Sequence, residues 1–194
     1  LVNERLFLPR VGTKETEDKP MDTMEEDNEV ILVGFGHFGS TIGRFLRANG
    51  IEATILDNDS DRVDLLRKMG FKVYYGDATR SDLLESAGAD KAKILVTAID
   101  SPETNLSLVE AVKKHFPHLQ LFVRAKSRID AYDLLDEGLE DIYRESLDTS
   151  VKMGVDILTR LGHRHYSAYR AAQNFIKYDE ASMRKLAAAR HDKE

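Results

Sequence analysis

Six consecutive residues, Gly34-Phe35-Gly36-His37-Phe38-Gly39, carry the G-x-G-x-x-G spacing that brings a phosphate up to bare backbone. Gly34 suits a tight turn out of a strand, Gly36 leaves room for the phosphate, and Gly39 lets the next helix pack closely. The chemistry is reversible binding: N–H groups at a helix N-terminus hold anionic oxygens. Asp57 follows Gly39 by 18 residues, at the end of the next apolar run, where a carboxylate can accept from ribose hydroxyls. Asn58 and Asp59 continue that loop, and its negative charge repels a 2′-phosphate, which disfavours NADP. Asp77-Ala78-Thr79 ends a third run and Thr97-Ala98-Ile99-Asp100 a fourth, followed by Asn105. Asp77 can hydrogen-bond an adenine edge, cap the helix beginning near Ser81, or do both. A turn without ligand is the other reading of the glycines alone. The acid at Asp57 favours an adenine nucleotide, with AMP, NAD and NADH left equal because they share ribose and phosphate groups.

Such residues need a scaffold that gathers them. The runs VILVGF, IEATILD, FKVYYGD, KILVTAI and LQLFVRA alternate with helix-period segments from residue 30 onward. The spacing predicts helices over Ser40 to Asn49, Ser60 to Met69, Ser81 to Ala87, Pro102 to His115 and Ile129 to Glu137, with a sixth short strand over Asp141 to Arg144. Strands apolar on both faces and joined by single helices imply an α/β fold, a Rossmann-like doubly wound parallel sheet. The carboxyl ends of its strands share one edge, which collects the glycine motif, Asp57, Asp77 and Asp100. After residue 145, Leu147, Val151, Val155, Leu158 and Leu161, then Tyr169, Ala172, Phe175, Ile176, Met183 and Leu186, recur at helical spacing. These define a C-terminal helical extension over 146–194. It either packs back on its own domain or serves as a dimerisation arm, and its position outside the sheet favours the arm.

The composition limits the function classes. The chain has 194 residues, 42% hydrophobic and 32% charged, as a folded soluble domain does. With 28 Lys and Arg against 34 Asp and Glu its net charge is −6, which argues against nucleic acid as a partner. Cysteine is absent, which excludes thiol catalysis, Cys-ligated zinc and disulfides. His37 and His115 stand isolated, and the six histidines form no metal-ligand spacing. No apolar run reaches the length of a membrane span. Residues 12–29 are acidic with little to bury and read as a linker. The organisation is therefore 1–29 junction and linker, 30–145 nucleotide-binding domain, and 146–194 helical extension.

GFGHFG, the acid Asp57, the run YYGDATRSDLLESAGADKAKILVTAID from Tyr74 to Asp100, and Asn105 resemble the KTN or RCK domains, of TrkA-N type, that regulate bacterial potassium channels and transporters. GDATRSDLLESAGA together with EAVKKHFPHLQLFVRA, from Glu110 to Ala125, is similar to the cytosolic domain of glutathione-gated Kef potassium efflux systems. The resemblance implies a regulatory domain and not an enzyme: a homodimer binding AMP or NAD(H), held closed by glutathione and opened by its bulky adducts. It also implies attachment to the chain's own transmembrane antiporter domain at the cytoplasmic face of the bacterial inner membrane, with residues 1–11 as the rest of that junction. Such systems recruit an ancillary flavin oxidoreductase. Glutathione brings two carboxylates and needs cationic forks. By match to the family pattern these are Arg44 and Arg144, with Arg124 as a weaker third; any of the three could instead pair with neighbouring acids. Two positions depart from the pattern. Asp179 stands where relatives carry Asn, and repels ligand carboxylates while being able to receive the ammonium. Met69 stands where Phe occurs in relatives, next to the nucleotide.

Two other readings compete. A free NAD-dependent oxidoreductase lacks a second domain for substrate and a placed Tyr-x-x-x-Lys pair. A potassium uptake module of the same fold is disfavoured by the HFPHLQ region and by the lack of a compact second lobe after residue 145.

Overall fold

Val30, Ile31, Leu32 and Val33 are all buried, and as β1 (Val30–Val33) they run through the middle of a six-stranded sheet in the computed structural model, which describes residues 28–191. Successive side chains of β1 enter opposite cores. Ile31 and Val33 join Leu95, Leu108, Val123 and Leu134 on one face, and Val30 and Leu32 join Phe35, Ile55, Val63 and Leu66 on the other. That two-sided burial is why the run is continuously apolar.

The remaining elements follow in alternation: α1 (His37–Ala48), β2 (Ala53–Asp57), α2 (Ser60–Lys68), β3 (Val73–Tyr75), α3 (Ser81–Ser86), β4 (Ile94–Thr97), α4 (Pro102–His115), β5 (Gln120–Ala125), α5 (Arg128–Asp136), β6 (Ile142–Arg144), α6 (Leu147–Arg160) and α7 (His165–His191). All pairings are parallel, in the order β3-β2-β1-β4-β5-β6. Val33 lies opposite Leu56 on one side and Thr97 on the other, so β1, β2 and β4 end together. The winding reverses at β1, and a crevice opens there at the carboxyl edge. The doubly wound sheet and the helical extension are as the sequence predicts. The expectations for residues 1–27 and 192–194 lie outside the described residues. Asn28 and Glu29 are docked: the Asn28 amide donates to Thr54 Oγ1 at 3.2 Å, and the Glu29 carbonyl accepts from the Lys93 and Ile94 N–H groups.

Helix starts explain the main departure from the sequence reading. Asp59 caps α2, Ser101 caps α4 with Pro102 in the first turn, and Ser127 with Asp130 forms a reciprocal capping box on α5. By contrast α1 begins at His37, inside the glycine motif and three residues before the expected Ser40; Gly36 is its N-cap and no side chain caps it. The helix therefore starts against the sheet, which demands close approach. A Cβ on Gly39 would lie 1.9 Å from the Gly34 carbonyl oxygen, and Gly34 itself turns the chain at φ +86°.

Gly39→Ala is expected to destabilise the fold by about 2–3 kcal/mol, because backbone, not a movable side chain, receives the new methyl. The urea midpoint measures it; an unchanged midpoint would show that α1 can move away from β1.

Candidate functional site

The crevice at the carboxyl edge, about 340 Å³, is bordered by Gly34 and Gly36 from the loop after β1, Asp57, Asn58 and Asp59 after β2, Asp77 and Ala78 after β3, and Ala98, Ile99 and Asp100 after β4. Ten of the fifteen residues expected to bind nucleotide thus share one cavity. The other five do not line it. Phe35 is buried, its ring 5.6 Å from that of Phe71; Phe38 lines an apolar recess with Ile42, Leu46 and Phe122; and Gly39 is under the loop. His37 is exposed in the first turn of α1, and Thr79 folds onto Asp77. Within the motif the aromatic side chains of Phe35 and Phe38 pack against core and sheet, so that what these two residues can offer the crevice is backbone.

Asp57 is 3% exposed and strongly engaged. Its Oδ2 accepts the Phe35 N–H at 2.7 Å and its Oδ1 the Asp59 N–H at 2.9 Å. Arg62 Nη1 reaches both oxygens, at 2.9 and 2.8 Å, and Arg62 Nη2 lies 3.0 Å from Asp59 Oδ2. Arg62 escaped the sequence reading, although its place three residues after Asp59 at a helix start puts it over that loop. Ser101 and Thr104, from the start of α4, complete the crevice wall. Asp77 accepts the Thr79 N–H and hydroxyl, both on Oδ1, at 2.9 and 2.8 Å. Those two bonds hold its carboxyl below the usual carboxylate range. Asp77 therefore closes the turn before α3 and does not cap that helix, whose N-cap is Arg80.

Arg124, expected as a weaker glutathione ligand, is committed internally. Its side chain is 5% exposed. Nη1 donates to the Ala98 carbonyl at 3.1 Å and to Asp100 Oδ1 at 2.8 Å; Nε and Nη2 donate to Glu145 Oε2 at 3.1 and 2.5 Å; and the guanidinium lies 5.1 Å from the Phe38 ring centroid. Burial opposes its charge, and the bonds to Glu145 and Asp100 more than offset this. Arg124 thereby joins the crevice rim to the residue that leads into α6. The bond from Arg124 in turn holds the Asp100 carboxyl below its usual range.

A second cavity, a groove of about 880 Å³, runs between the ends of β5 and β6 and the helices α6 and α7. Lys126, Arg128 and Arg144 sit at one end, and Leu147, Val151, Val155, Leu158, Ala172 and Phe175 form apolar walls. Arg144 borders this groove; Arg44 does not, and lies exposed on α1 with Nε donating to the Ser40 carbonyl at 3.2 Å. One chain therefore does not bring the two expected glutathione ligands into one cavity. Asp179 on α7 is 2.5 Å from Arg128 Nη1 through Oδ1 and 2.5 Å from Arg144 Nη1 through Oδ2. Burial pushes the Asp179 carboxyl up, but the two arginines outweigh it and hold the group below its usual range. Each oxygen thus faces a guanidinium, although Oδ2 makes no well-aligned hydrogen bond among the described residues. Met69 ends α2, 56% exposed, and does not line the crevice.

Among the described residues no helix is long and apolar enough to cross a membrane. Comparison with known proteins assigns the family. The model of the TrkA-N domain matches residues 30–144, and that of the potassium efflux system KefB C-terminal domain matches residues 149–194. The Kef CTD of Shewanella denitrificans in AMP-bound form is similar at TM-score 0.77 and 43% sequence identity, covering 84% of this chain and 99% of that one. The TrkA-N domain of the Escherichia coli inner membrane protein ybaL shares the fold at TM-score 0.61 and 24% identity, over 65% of this chain and 93% of that one. The GsuK channel bound to NAD shares it at TM-score 0.60 and 19% identity, over 75% of this chain and 26% of that one. The chain belongs to the TrkA-N family and, within it, to the Kef type of C-terminal regulatory domain of potassium efflux systems.

Proposed function

We propose that the domain binds an adenine nucleotide in the crevice, and glutathione or its adducts through Arg44 and Arg144, to set the activity of an attached potassium–proton antiporter. One observation carries the nucleotide half: the uncapped N-terminus of α1 opens at the same cavity as Asp57, so anion donors and a hydroxyl acceptor share one site. No acidic side chain occupies the first turn of α1 to oppose a phosphate. Gly34 to Gly39 would hold the phosphate, Asp57 the ribose, and Asp77 with Ala98 to Asp100 the base. The AMP-bound Shewanella relative makes AMP the first ligand to test, with NAD(H) the alternative.

The glutathione half follows from the family and from charge. Arg144 Nη2 is buried and bonds nothing among the described residues, leaving donors for a carboxylate. Since Arg44 and Arg144 do not meet within one chain, a ligand touching both bridges two copies. Exposed Met153, Ile157, Leu161, Tyr169, Phe175 and Tyr178 on α6 and α7 supply apolar surface for such a dimer. Glutathione then clamps the pair closed, and an adduct's extra bulk displaces the helical extension. The domain acts at the cytoplasmic face of the inner membrane, with a flavin oxidoreductase as ancillary partner.

Two substitutions test the two halves by calorimetry, with melting temperatures confirming that each variant folds. Asp57→Ala is expected to weaken AMP at least about tenfold, the loss of a charge-assisted bond pair; unaltered affinity would remove Asp57 from the ribose site. Arg144→Ala is expected to abolish glutathione binding while AMP still binds; retained glutathione affinity would remove Arg144 from the second site.

A further inference from the structure

The crevice that takes a phosphate in the reading above is walled by acids. Asp57, Asp59, Asp77 and Asp100 border it, and among the described residues Arg62 is the one cation that does. Three of these acids are engaged close to their own loops: Asp57 and Asp59 share Arg62, and Asp77 closes onto Thr79. Asp100 is the fourth, and it faces the glycine loop. A Cβ built on Gly36, the N-cap of α1, would meet Asp100 Oδ2 at 4.0 Å, so a phosphate drawn to the bare backbone there has this carboxylate as its neighbour. Arg124 reaches Asp100 from behind the rim and does not itself border the crevice. Its Nη1 holds Asp100 Oδ1 and the Ala98 carbonyl, at 2.8 and 3.1 Å, and Glu145 anchors the far edge of the fork through Nε and Nη2.

We infer that Arg124 is a positioning residue of the nucleotide site: by holding and neutralising Asp100 from beneath the rim, it lets the phosphate of an adenine nucleotide settle on the glycine loop. The inference rests on the nucleotide reading above and names the residue that reconciles an acidic crevice with an anionic ligand. The bond from Arg124 holds the Asp100 carboxyl below its usual range, so this group stays ionised at neutral pH and opposes a second anion unless a cation offsets it. Arg62 is committed to Asp57 and Asp59, which leaves the offset to Arg124. The Asp100 side chain is 74% exposed, so water screens the repulsion and keeps the effect moderate; the Arg124 side chain is 5% exposed and is fixed without help from the ligand. Adenosine has no phosphate and gains nothing from the neutralisation. Contacts of the rim to the base are common to AMP and adenosine and cancel in the ratio of their affinities. An Arg124 that only ties β5 to residue 145 would change both affinities alike.

The experiment is calorimetry of AMP, with adenosine measured by its competition against AMP, on the wild type, Arg124→Gln, Arg124→Lys, Asp100→Asn and the Arg124→Gln, Asp100→Asn double variant, each checked by melting temperature. Arg124→Gln is expected to lower the AMP-to-adenosine affinity ratio about fivefold, the scale of one solvent-screened charge contact. Arg124→Lys keeps the charge and is expected to keep the wild-type ratio. Asp100→Asn is expected to raise the ratio, and the double variant, which removes one charge of each sign, is expected to return it to the wild-type value. If folded Arg124→Gln loses AMP and adenosine in equal measure, Arg124 is structural only and the inference is overturned. Asp100→Asn alters an exposed side chain and decides the matter even where Arg124→Gln does not fold: an unchanged ratio there means that Asp100 does not oppose the phosphate, and the inference is overturned. If the wild type binds neither AMP nor adenosine, the nucleotide reading itself falls and takes the inference with it.

Discussion

The buried Asp57 carboxylate is the constraint on which the crevice depends. It terminates β2, yet it accepts a backbone N–H from the loop after β1 and another from the loop leading into α2. The first bond ties the glycine loop to the neighbouring strand and the second ties down the loop into α2, so the start of α1 is positioned by a directional bond to a side chain and not by packing alone. A carboxylate at 3% exposure needs a counter-charge as well, and Arg62 supplies it from α2. The acceptor that makes the site suited to a ribose is therefore also part of what holds the site in shape.

Arg124 extends that order away from the crevice. On β5, one strand beyond β4, it gathers a carbonyl and a carboxylate from the crevice rim, a carboxylate from the residue after β6 and the face of Phe38. Packing alone would tolerate small sliding of α6 relative to the sheet; a guanidinium fork bonded on two sides does not, because its donors are directional. The rim of the crevice and the root of the helical extension are thus one hydrogen-bonded unit.

Much of this was legible in the chain. Alternating apolar runs and helical segments define the winding, because a parallel sheet buries both faces and leaves no polar alternation to confuse the pattern. The acids at Asp57, Asp77 and Asp100 read correctly as one edge, since strand carboxyl ends converge in this topology. What did not read was pairing. Arg62, Glu145 and Arg128 are ordinary surface residues by sequence, and only the approach of separate elements makes them the partners of Asp57, Arg124 and Asp179. The packing of the Phe35 and Phe38 rings was not legible for a related reason: a motif defined by glycine backbone says nothing about where the intervening side chains point. The start of α1 was displaced for a physical cause too: glycine has poor helix propensity, yet the close approach of Gly39 to the Gly34 carbonyl requires a residue without a Cβ in that first turn.

A common feature of the two cavities follows from the net acidity of the chain. Four arginines at or beside the cavities have an internal carboxylate: Arg62 has Asp57 and Asp59, Arg124 has Asp100 and Glu145, and Arg144 and Arg128 share Asp179. A buried or half-buried guanidinium without such a partner would be strongly destabilising, so an acidic protein keeps its binding cations neutralised from within. An anion that paired with one of these arginines would have to exchange with an internal carboxylate. The free energy of that exchange is the difference between two similar pairings, far smaller than the energy of either one. Small differences in ligand shape, such as a bulky substituent on one atom, are large on that scale. Paired cations of this kind would favour discrimination between related anions over irreversible binding of one of them.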